Sequence, residues 1–247
     1  VDGTILHYNG LGWNLQASPV TDDLYAVWGP AADDIWAVGG ESILHFDGVA
    51  WTKVDGPPTS MAADWRAVWG HNGQLWVTGG NWSDGVWKYD GAVWTQALAS
   101  GSYARDMHGV DENNIVIVGR YGNVRYWDGT LWKYQSTGAS SDLFSVHMVS
   151  PTEAYAVGAG GRIVRFDGTA WTEMVTPTDR TLRAVWAAGP DMVYAVGDAS
   201  TLLYYDGTDW TEQSFSAKTT YNSLLALWGD ASTLGGYAMG TSEVLMG

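Results

Sequence analysis

Short apolar runs alternate with clusters of polar and turn-forming residues along most of the chain. In the first complete stretch, the runs cover residues 24–28, 35–38, 43–46 and 51–54. Each run has the length of a β-strand and is bounded by turn-forming residues such as Gly, Asp or Pro. The pattern predicts an all-β protein built from many short antiparallel strands.

This set of four runs recurs, and a nearly constant segment marks each copy. The six segments are HYNGLGW from His7, HFDGVAW from His45, KYDGAVW from Lys88, YWDGTLW from Tyr126, RFDGTAW from Arg165 and YYDGTDW from Tyr204. Their closing tryptophans are separated by 38, 43, 38, 39 and 39 residues, which is the length of one four-stranded propeller blade. The repeat predicts a six-bladed β-propeller of four-stranded antiparallel blades, with a seven-bladed propeller as the alternative.

The two ends of the chain are expected to share the sixth blade. Residues 1–16 supply only the last two strands of a unit, and residues 224–247 supply its first two or three. Joining them closes the ring and removes exposed strand edges. We therefore predict one domain over residues 1–247, with blades at about 24–61, 62–102, 103–141, 142–180, 181–220, and 221–247 plus 1–20. Residues 242–246 also resemble a third strand, so they compete with residues 4–8 for one place.

Two glycine positions mark turns in each unit. The Asp-Gly pairs, which become Asn9-Gly10 in the first copy, predict hairpins in which the side chain bonds its own turn and Gly takes a positive φ. The Gly that ends the second run, as at Gly39, Gly158 and Gly197, is predicted to have a positive φ as well. The Trp that follows each hairpin is expected to lie in the core.

The first strand carries an arginine at an equivalent position in three of the six units. Arg66, Arg105 and Arg183 occupy the second position in three units, and three guanidinium groups in a ring could hold a carboxylate. The alternative is that they form ion pairs with acidic neighbours such as Asp64, Asp106 or Asp179.

Histidine replaces tryptophan at the fifth position of this strand in two successive units. His108 and His147 could lie close enough to bind a metal ion. No third ligand recurs at that position, so we predict structural histidines, no metal site and no cofactor. The sequence also lacks the Gly-x-Ser-x-Gly, His-Glu-x-x-His and phosphate-loop motifs, so no catalytic residues are assigned.

Recognition is expected in the variable loops between the second and third strands, because such loops extend from a rigid scaffold. Trp82 lies in an insertion beside Asn81 and Asp84, and an aromatic ring among polar side chains suits a sugar. Alternatively, Trp82 covers a neighbouring blade. The predicted ligand-binding residues are Trp82, Asn81, Asp84, Arg120, Tyr121, Arg162 and Asp198.

Composition limits the partners. The net charge of -15 disfavours nucleic acid and anionic membranes, and no apolar stretch is long enough for membrane insertion. The chain has no cysteine, which excludes disulfides and thiolate metal sites. Its 16 Trp, 13 Tyr and 32 Gly suit strands packed through aromatic rings and joined by tight turns.

The unit that runs from a strand through Val-Gly and a polar loop to Ile43-Leu-His-Phe-Asp-Gly-x-x-Trp51 resembles the tectonin and tachylectin repeats. The resemblance covers all six units and implies a lectin-like protein that binds a glycan or surface polysaccharide. A structural or protein-interaction propeller with another protein subunit, within a larger extracellular assembly, is the alternative. A glycan-active hydrolase or lyase is a third possibility. A bacterial protein, extracellular or at the cell surface, is expected.

Overall fold

The computed structural model describes residues 2–59, 62–101, 103–138, 140–215, 222–230, 235–240 and 244–246. Strands dominate the described residues, which contain three short 3-10 turns, Arg120–Gly122, Ala159–Gly161 and Asp198–Ser200. None of the helical segments in this part of the chain has the length and apolar character of a membrane-spanning helix. The chain forms two compact units, residues 1–104 (unit 1) and 105–247 (unit 2).

Unit 1 contains a two-stranded sheet and two four-stranded antiparallel sheets. The two-stranded sheet comprises β1 (Ile5–Tyr8) and β2 (Trp13–Gln16). The first four-stranded sheet comprises β3 (Ala26–Ala31), β4 (Asp34–Gly39), β5 (Ser42–Phe46) and β6 (Trp51–Val54). The second comprises β7 (Trp65–His71), β8 (Gln74–Gly79), β9 (Val86–Tyr89) and β10 (Trp94–Leu98).

Unit 2, together with Ala104 at the start of its first strand, contains three four-stranded antiparallel sheets and one three-stranded sheet. The first comprises β11 (Ala104–Asp111), β12 (Asn114–Gly119), β13 (Val124–Trp127) and β14 (Trp132–Gln135). The second comprises β15 (Leu143–Ser150), β16 (Glu153–Gly158), β17 (Ile163–Phe166) and β18 (Trp171–Glu173). The third comprises β19 (Leu182–Gly189), β20 (Met192–Gly197), β21 (Thr201–Tyr205) and β22 (Trp210–Glu212). The last comprises β23 (Leu224–Asp230), β24 (Gly235–Gly240) and β25 (Val244–Met246).

The hairpins between the third and fourth strands have the predicted turn chemistry. In the Asp47 turn, one carboxylate oxygen accepts hydrogen bonds from the N–H groups of Val49 and Ala50, both at 2.9 Å. The following glycine is left-handed in every copy, from φ 88° at Gly129 to φ 95° at Gly207. These backbone hydrogen bonds lower the pKa of Asp47. The turns therefore follow from local sequence alone.

The glycine that ends the second strand has a different role from the one predicted. Gly158 and Gly197 have φ of −164° and −169°, which is extended backbone, so the predicted positive φ is wrong. Their backbone instead passes directly against the residue before the first strand of the same sheet. A Cβ on Gly39, Gly158 or Gly197 would lie 2.0 to 2.1 Å from the carbonyl oxygen of Asp23, Asp142 or Thr181 respectively. Glycine is needed here for space rather than for conformation.

The core lies between successive sheets within each unit. In unit 2, for example, Val116 and Val118 of β12 pack with Leu143, Val146 and Val164 of the next sheet. The hairpin tryptophans Trp51, Trp132, Trp171 and Trp210 are buried as predicted, and Trp94 is partly buried. Trp13 is the exception, because its side chain is 44% exposed on the two-stranded sheet.

The strands from the two ends of the chain form separate sheets among the described residues. The place beside β24 belongs to β25, whose backbone pairs Tyr237 with Met246 and Met239 with Val244. Strand β1 pairs with β2. The blade predicted to be shared by both ends stays a prediction, and among the described residues the competing strand near residues 242–246 takes the third position beside β24. Residues 242 and 243 lie outside the described residues.

The first strands of successive sheets fit one another through complementary residues. A Cβ at Gly70 would lie 2.5 Å from the Trp28 ring, and one at Gly229 would lie 2.7 Å from the Trp186 ring. Where histidine replaces this tryptophan, as at His108, the equivalent position in the next strand is Met148 rather than glycine. The Met148 N–H donates a hydrogen bond to His108 Nδ1 at 3.1 Å. The large indole ring therefore requires glycine in the following strand, whereas imidazole accepts a backbone hydrogen bond there.

Ala199→Gly is expected to raise the free energy of unfolding by roughly 0.5–1 kcal/mol. Ala199 has φ 54°, while Gly160 at the equivalent place has φ 70° and open space around its Cβ position. Glycine removes the left-handed strain of alanine, whose methyl group is only half-buried. Chemical denaturation monitored by Trp fluorescence tests this, with Ala170→Gly, an exposed alanine outside the left-handed region, as the control that should not gain stability. An unchanged or lower midpoint for Ala199→Gly would contradict the assigned strain.

Candidate functional site

The second position of the first strands in unit 2 brings two arginines to one aromatic ring. The Arg105 and Arg183 guanidinium carbons lie 5.7 Å and 5.0 Å from the centre of the Phe144 ring. Both arginine side chains are partly exposed, at 26% and 35%. The three residues come from β11, β15 and β19, so rigid strands hold them. The result is a partly exposed aromatic ring flanked by cations.

Two carboxylates continue this surface. Asp198 accepts two hydrogen bonds from Arg183, both at 2.9 Å, and this pairing lowers the pKa of Asp198. Asp142 lies 3.7 Å from Arg105 and accepts a hydrogen bond from the N–H of Tyr121 at 2.9 Å. We call this surface the arginine–phenylalanine arc; its members are Arg105, Tyr121, Asp142, Phe144, Arg183 and Asp198.

Unit 1 repeats the arrangement on a smaller scale. The Arg66 guanidinium carbon lies 3.9 Å above the Tyr25 ring, and Arg66 donates to Asp64 at 2.8 and 2.9 Å. Of the acidic partners proposed from the sequence, Asp64 is confirmed. Arg105 and Arg183 instead have Asp142 and Asp198 as ion-pair partners.

The predicted histidine pair is a packed structural feature. The rings of His108 and His147 stack with centroids 4.1 Å apart. Burial lowers the pKa of His147 to about 4 and that of His108 well below its usual value, so both are neutral at pH 7. In the part of the chain that the structure describes, no three His, Cys, Asp or Glu side chains are grouped to hold a metal ion.

Asp106 and Ser145 lie beside the histidines and connect successive first strands. The Asp106 carboxylate accepts the Val146 N–H at 2.9 Å, and the Ser145 hydroxyl accepts the Val185 N–H at 3.3 Å. Burial raises the pKa of Asp106 to about 6, although hydrogen bonds from Val146, Ser145 and Met107 oppose the shift. These side chains support strand packing rather than a ligand site.

Two predicted ligand-binding residues have buried, hydrogen-bonded side chains. Asp84 is only 2% exposed, and its carboxylate accepts the N–H groups of Asn81 at 3.0 Å and Asp64 at 3.3 Å. Arg162 is 5% exposed and donates to the Thr137 carbonyl at 2.6 Å and to Glu173 at 3.4 Å. Their hydrogen bonds stabilise loops, and the ligand contacts predicted for them remain untested.

The other predicted residues lie at or near the surface. Trp82 is 55% exposed and its ring centre lies 5.2 Å from that of Tyr103. Tyr121 is 65% exposed in a left-handed conformation, with φ 60°. Asn81 is exposed, and Arg120 is half-buried in the same short 3-10 turn as Tyr121. Tyr121 and Asp198 therefore join the arc, while Trp82 and Asn81 belong to a separate loop in unit 1.

Sequence reasoning missed Phe144 and Tyr103 as candidate site residues. The sequence does contain a signal for Phe144, because arginines and aromatic residues occupy the same second position of the first strand in successive repeats. Tyr103 lies just before β11 and gives no comparable pattern.

Comparison with solved structures identifies the fold of this chain. The protein is similar to YCF48 bound to D1 peptide, with a TM-score of 0.78 and 18% identity over 100% of this chain and 85% of that one. It is similar to YCF48 from Cyanidioschyzon merolae, with a TM-score of 0.73 and 14% identity over 99% and 88% of the chains. It is also similar to the RRP9 WD40 repeats, with a TM-score of 0.73 and 12% identity over 96% of this chain and 81% of that one. WD40 repeats form β-propellers. The chain is a β-propeller.

The propeller fold agrees with the six repeats, and each complete four-stranded sheet is one blade of the six-bladed propeller predicted from them. No protein-family model and no curated protein matches the sequence. The tectonin and tachylectin resemblance is therefore supported at the level of the propeller fold alone.

Proposed function

We propose that this β-propeller is a non-enzymatic protein-interaction module that binds a protein or peptide through the arginine–phenylalanine arc. The observation that carries the proposal is the Phe144 ring held between Arg105 and Arg183, with both arginines partly exposed. Arginine and aromatic side chains on rigid elements are enriched among the residues that dominate binding energy at protein interfaces.

The similar structures support the same class of function. YCF48 was solved bound to the D1 peptide. The arc also contains exposed Tyr121 and the partly exposed carboxylates Asp142 and Asp198. A surface with paired positive and negative groups around an aromatic centre can exchange internal ion pairs for contacts to a polar peptide.

Carbohydrate binding, the function predicted first from the sequence, has less support. The exposed Trp82 ring favours it, but the Asp84 carboxylate beside it is buried and bonded to backbone N–H groups. Sugar hydroxyls need accessible polar partners next to the ring. An extracellular or cell-surface location stays a prediction.

The proposal is tested with a phage-displayed random dodecapeptide library selected on the wild-type protein. Enriched peptides should bind Phe144→Ala and Arg183→Gln about tenfold more weakly than wild type, equivalent to ~1.4 kcal/mol. Fluorescence anisotropy with synthetic labelled peptides measures the affinities, and near-ultraviolet circular dichroism checks the fold.

Arg180→Gln is the matched control, because Arg180 forms an ion pair with Glu212 at 3.6 Å outside the arc. This variant should bind the same peptides with wild-type affinity. The absence of enriched peptides, or equal binding by all four proteins, would refute the arc as the binding surface.

A further inference from the structure

The first repeat carries asparagine in the hairpin turn where the other five repeats carry aspartate. Asn9 and Gly10 follow β1, and both residues are exposed. The Asn9 side-chain oxygen Oδ1 accepts hydrogen bonds from the N–H groups of Leu11 and Gly12, each at 3.0 Å. The Asn9 N–H donates to the Gly12 carbonyl at 3.2 Å and closes the loop. The carboxamide is therefore held in the same kind of turn that holds the aspartates.

Asparagine followed by glycine can rearrange without an enzyme. Hydroxide removes the proton from the glycine backbone nitrogen, which then forms a bond to the asparagine Cγ and closes a succinimide ring. The Cγ–Nδ2 bond breaks, and Nδ2 takes a proton from water and leaves as ammonia. A further water molecule opens the ring to aspartate or isoaspartate. Glycine favours ring closure because it has no side chain to hinder the attack, and nothing lies within 4 Å of the Gly10 Cβ position.

The turn provides hydrogen-bond donors where negative charge develops in this reaction. Attack at Cγ converts Oδ1 of Asn9 into an oxyanion, and the N–H groups of Leu11 and Gly12 already donate to this atom. Preorganised backbone N–H groups aimed at a developing oxyanion lower the barrier of acyl-transfer reactions. Within the described residues the Gly10 N–H donates to no other group, so no hydrogen bond has to break before its nitrogen reacts.

The same donors have the opposite effect on aspartate in the other repeats. Backbone N–H groups of the turns lower the pKa of Asp47, Asp90, Asp167 and Asp206, so these side chains are carboxylates at neutral pH. A carboxylate resists nucleophilic attack, because its carbon is already bonded to a negatively charged group and has no neutral leaving group. The turn therefore activates an uncharged carboxamide and protects a carboxylate.

A second Asn-Gly pair provides an internal comparison. Asn72 and Gly73 form the two-residue turn between β7 and β8, and both are left-handed, with φ of 49° and 73°. Residues on both sides of this turn are paired within a four-stranded sheet, which resists the backbone rotation that ring closure requires. Asn9 lies outside the left-handed region and begins a longer loop, residues 9–12, between β1 and β2.

We infer that Asn9 is a site of spontaneous deamidation, which proceeds through a succinimide formed with the Gly10 nitrogen and is promoted by the two N–H groups of its own turn. Aspartate formed there restores the turn of the other five repeats and adds one negative charge to the hairpin. Isoaspartate instead lengthens the backbone by one methylene group, which disturbs the pairing of Tyr8 with Trp13. The inference is independent of the proposed function.

Incubation of the folded protein at mildly alkaline pH in ¹⁸O-labelled water, followed by proteolysis and mass spectrometry, tests the inference. Ring opening introduces the heavy oxygen into the product, which separates conversion during the incubation from any earlier conversion. Asn9 should convert at least about tenfold faster than Asn72 in the folded protein, because its turn stabilises the oxyanion. In concentrated urea, where both turns are lost, the two residues should convert at similar rates.

Asp47→Asn is the matched variant, because the N–H groups of Val49 and Ala50 both donate to Oδ1 at 2.9 Å in an equivalent turn. The carboxamide at this position should also convert at least about tenfold faster than Asn72. In the same samples, Asp167 and Asp206 should form no isoaspartate. Near-ultraviolet circular dichroism checks the fold of the variant.

The inference is overturned if Asn9 keeps its amide in the folded protein or converts no faster than Asn72. It is also overturned if the faster conversion of Asn9 persists in urea, because the folded turn would then not be its cause. Conversion of the Asp47→Asn position no faster than that of Asn72 would likewise overturn it, since the N–H groups of the turn would then not promote the reaction.

Discussion

Gly158→Ala is expected to lower the free energy of unfolding by about 3 kcal/mol, toward the upper end of the cost of overpacking. A Cβ at this position would lie 2.1 Å from the Asp142 carbonyl oxygen and 3.0 Å from the Leu143 Cα. Both obstacles are backbone atoms, so no side chain can rotate to relieve the clash. Relief requires that β16 move away from the start of β15, and that movement would separate buried residues such as Leu143 and Val157.

Gly160→Ala provides the matched control two residues away. Gly160 has φ 70° but nothing within 4 Å of its Cβ position, so alanine there should cost only about 1 kcal/mol of conformational strain. Urea titrations of both variants measure the difference. Equal losses for the two variants would show that conformation, rather than space, is what the Gly158 position requires.

The Asp106→Asn variant is expected to gain stability relative to wild type as pH rises from 4 to 7, by about 2 kcal/mol. The folded-state pKa of Asp106 is raised from 3.8 to about 6, so the folded protein binds this proton more tightly than the unfolded chain does. Between those values, wild-type stability is lost as pH rises. Asparagine keeps an acceptor for the Val146 N–H and removes the ionisation.

The histidines act in the opposite direction over the same range. Burial lowers the pKa of His147 to about 4 and also lowers that of His108. Their contribution to the free energy of unfolding therefore rises as pH increases toward 6.5. The free energy of unfolding of the wild-type protein should therefore rise less steeply with pH than that of Asp106→Asn. Unfolding free energies from urea titrations at pH 4, 5, 6 and 7 compare the two proteins. Parallel profiles would mean that Asp106 does not titrate in this range.

Local sequence accounts for most of the blades. The Asp-Gly hairpins, the strand order within each complete blade and the burial of Trp51, Trp132, Trp171 and Trp210 follow from short-range turn chemistry and alternation. The glycine at the end of the second strand was recognised but misinterpreted. Glycine is required there because the backbone of a segment about 16 residues earlier, such as Asp142 for Gly158, lies against it. The local sequence cannot show whether a glycine is needed to avoid such a contact or to adopt a positive φ.

The candidate site was less predictable because it depends on side-chain partners from different strands. The sequence marks Arg183 and Asp198 but does not pair them, and Arg105 pairs with Asp142, the residue just before the first strand of the next sheet. Asp84 looks like a surface residue beside Trp82, yet its carboxylate is buried. Whether a polar loop residue faces solvent or its own backbone is decided by three-dimensional packing. The predicted ligand-binding role of these residues stays a prediction.

The complementary residues on successive first strands also restrict how such a chain can evolve. A repeat that carries Trp186 must be followed by one with a residue as small as Gly229, whereas the repeat that carries His108 is followed by Met148. Duplicating the Trp186 repeat in front of β15 would drive an indole into the Met148 side chain. Repeats in this protein are therefore not interchangeable copies, and recombination that preserves folding must exchange residues of neighbouring repeats together.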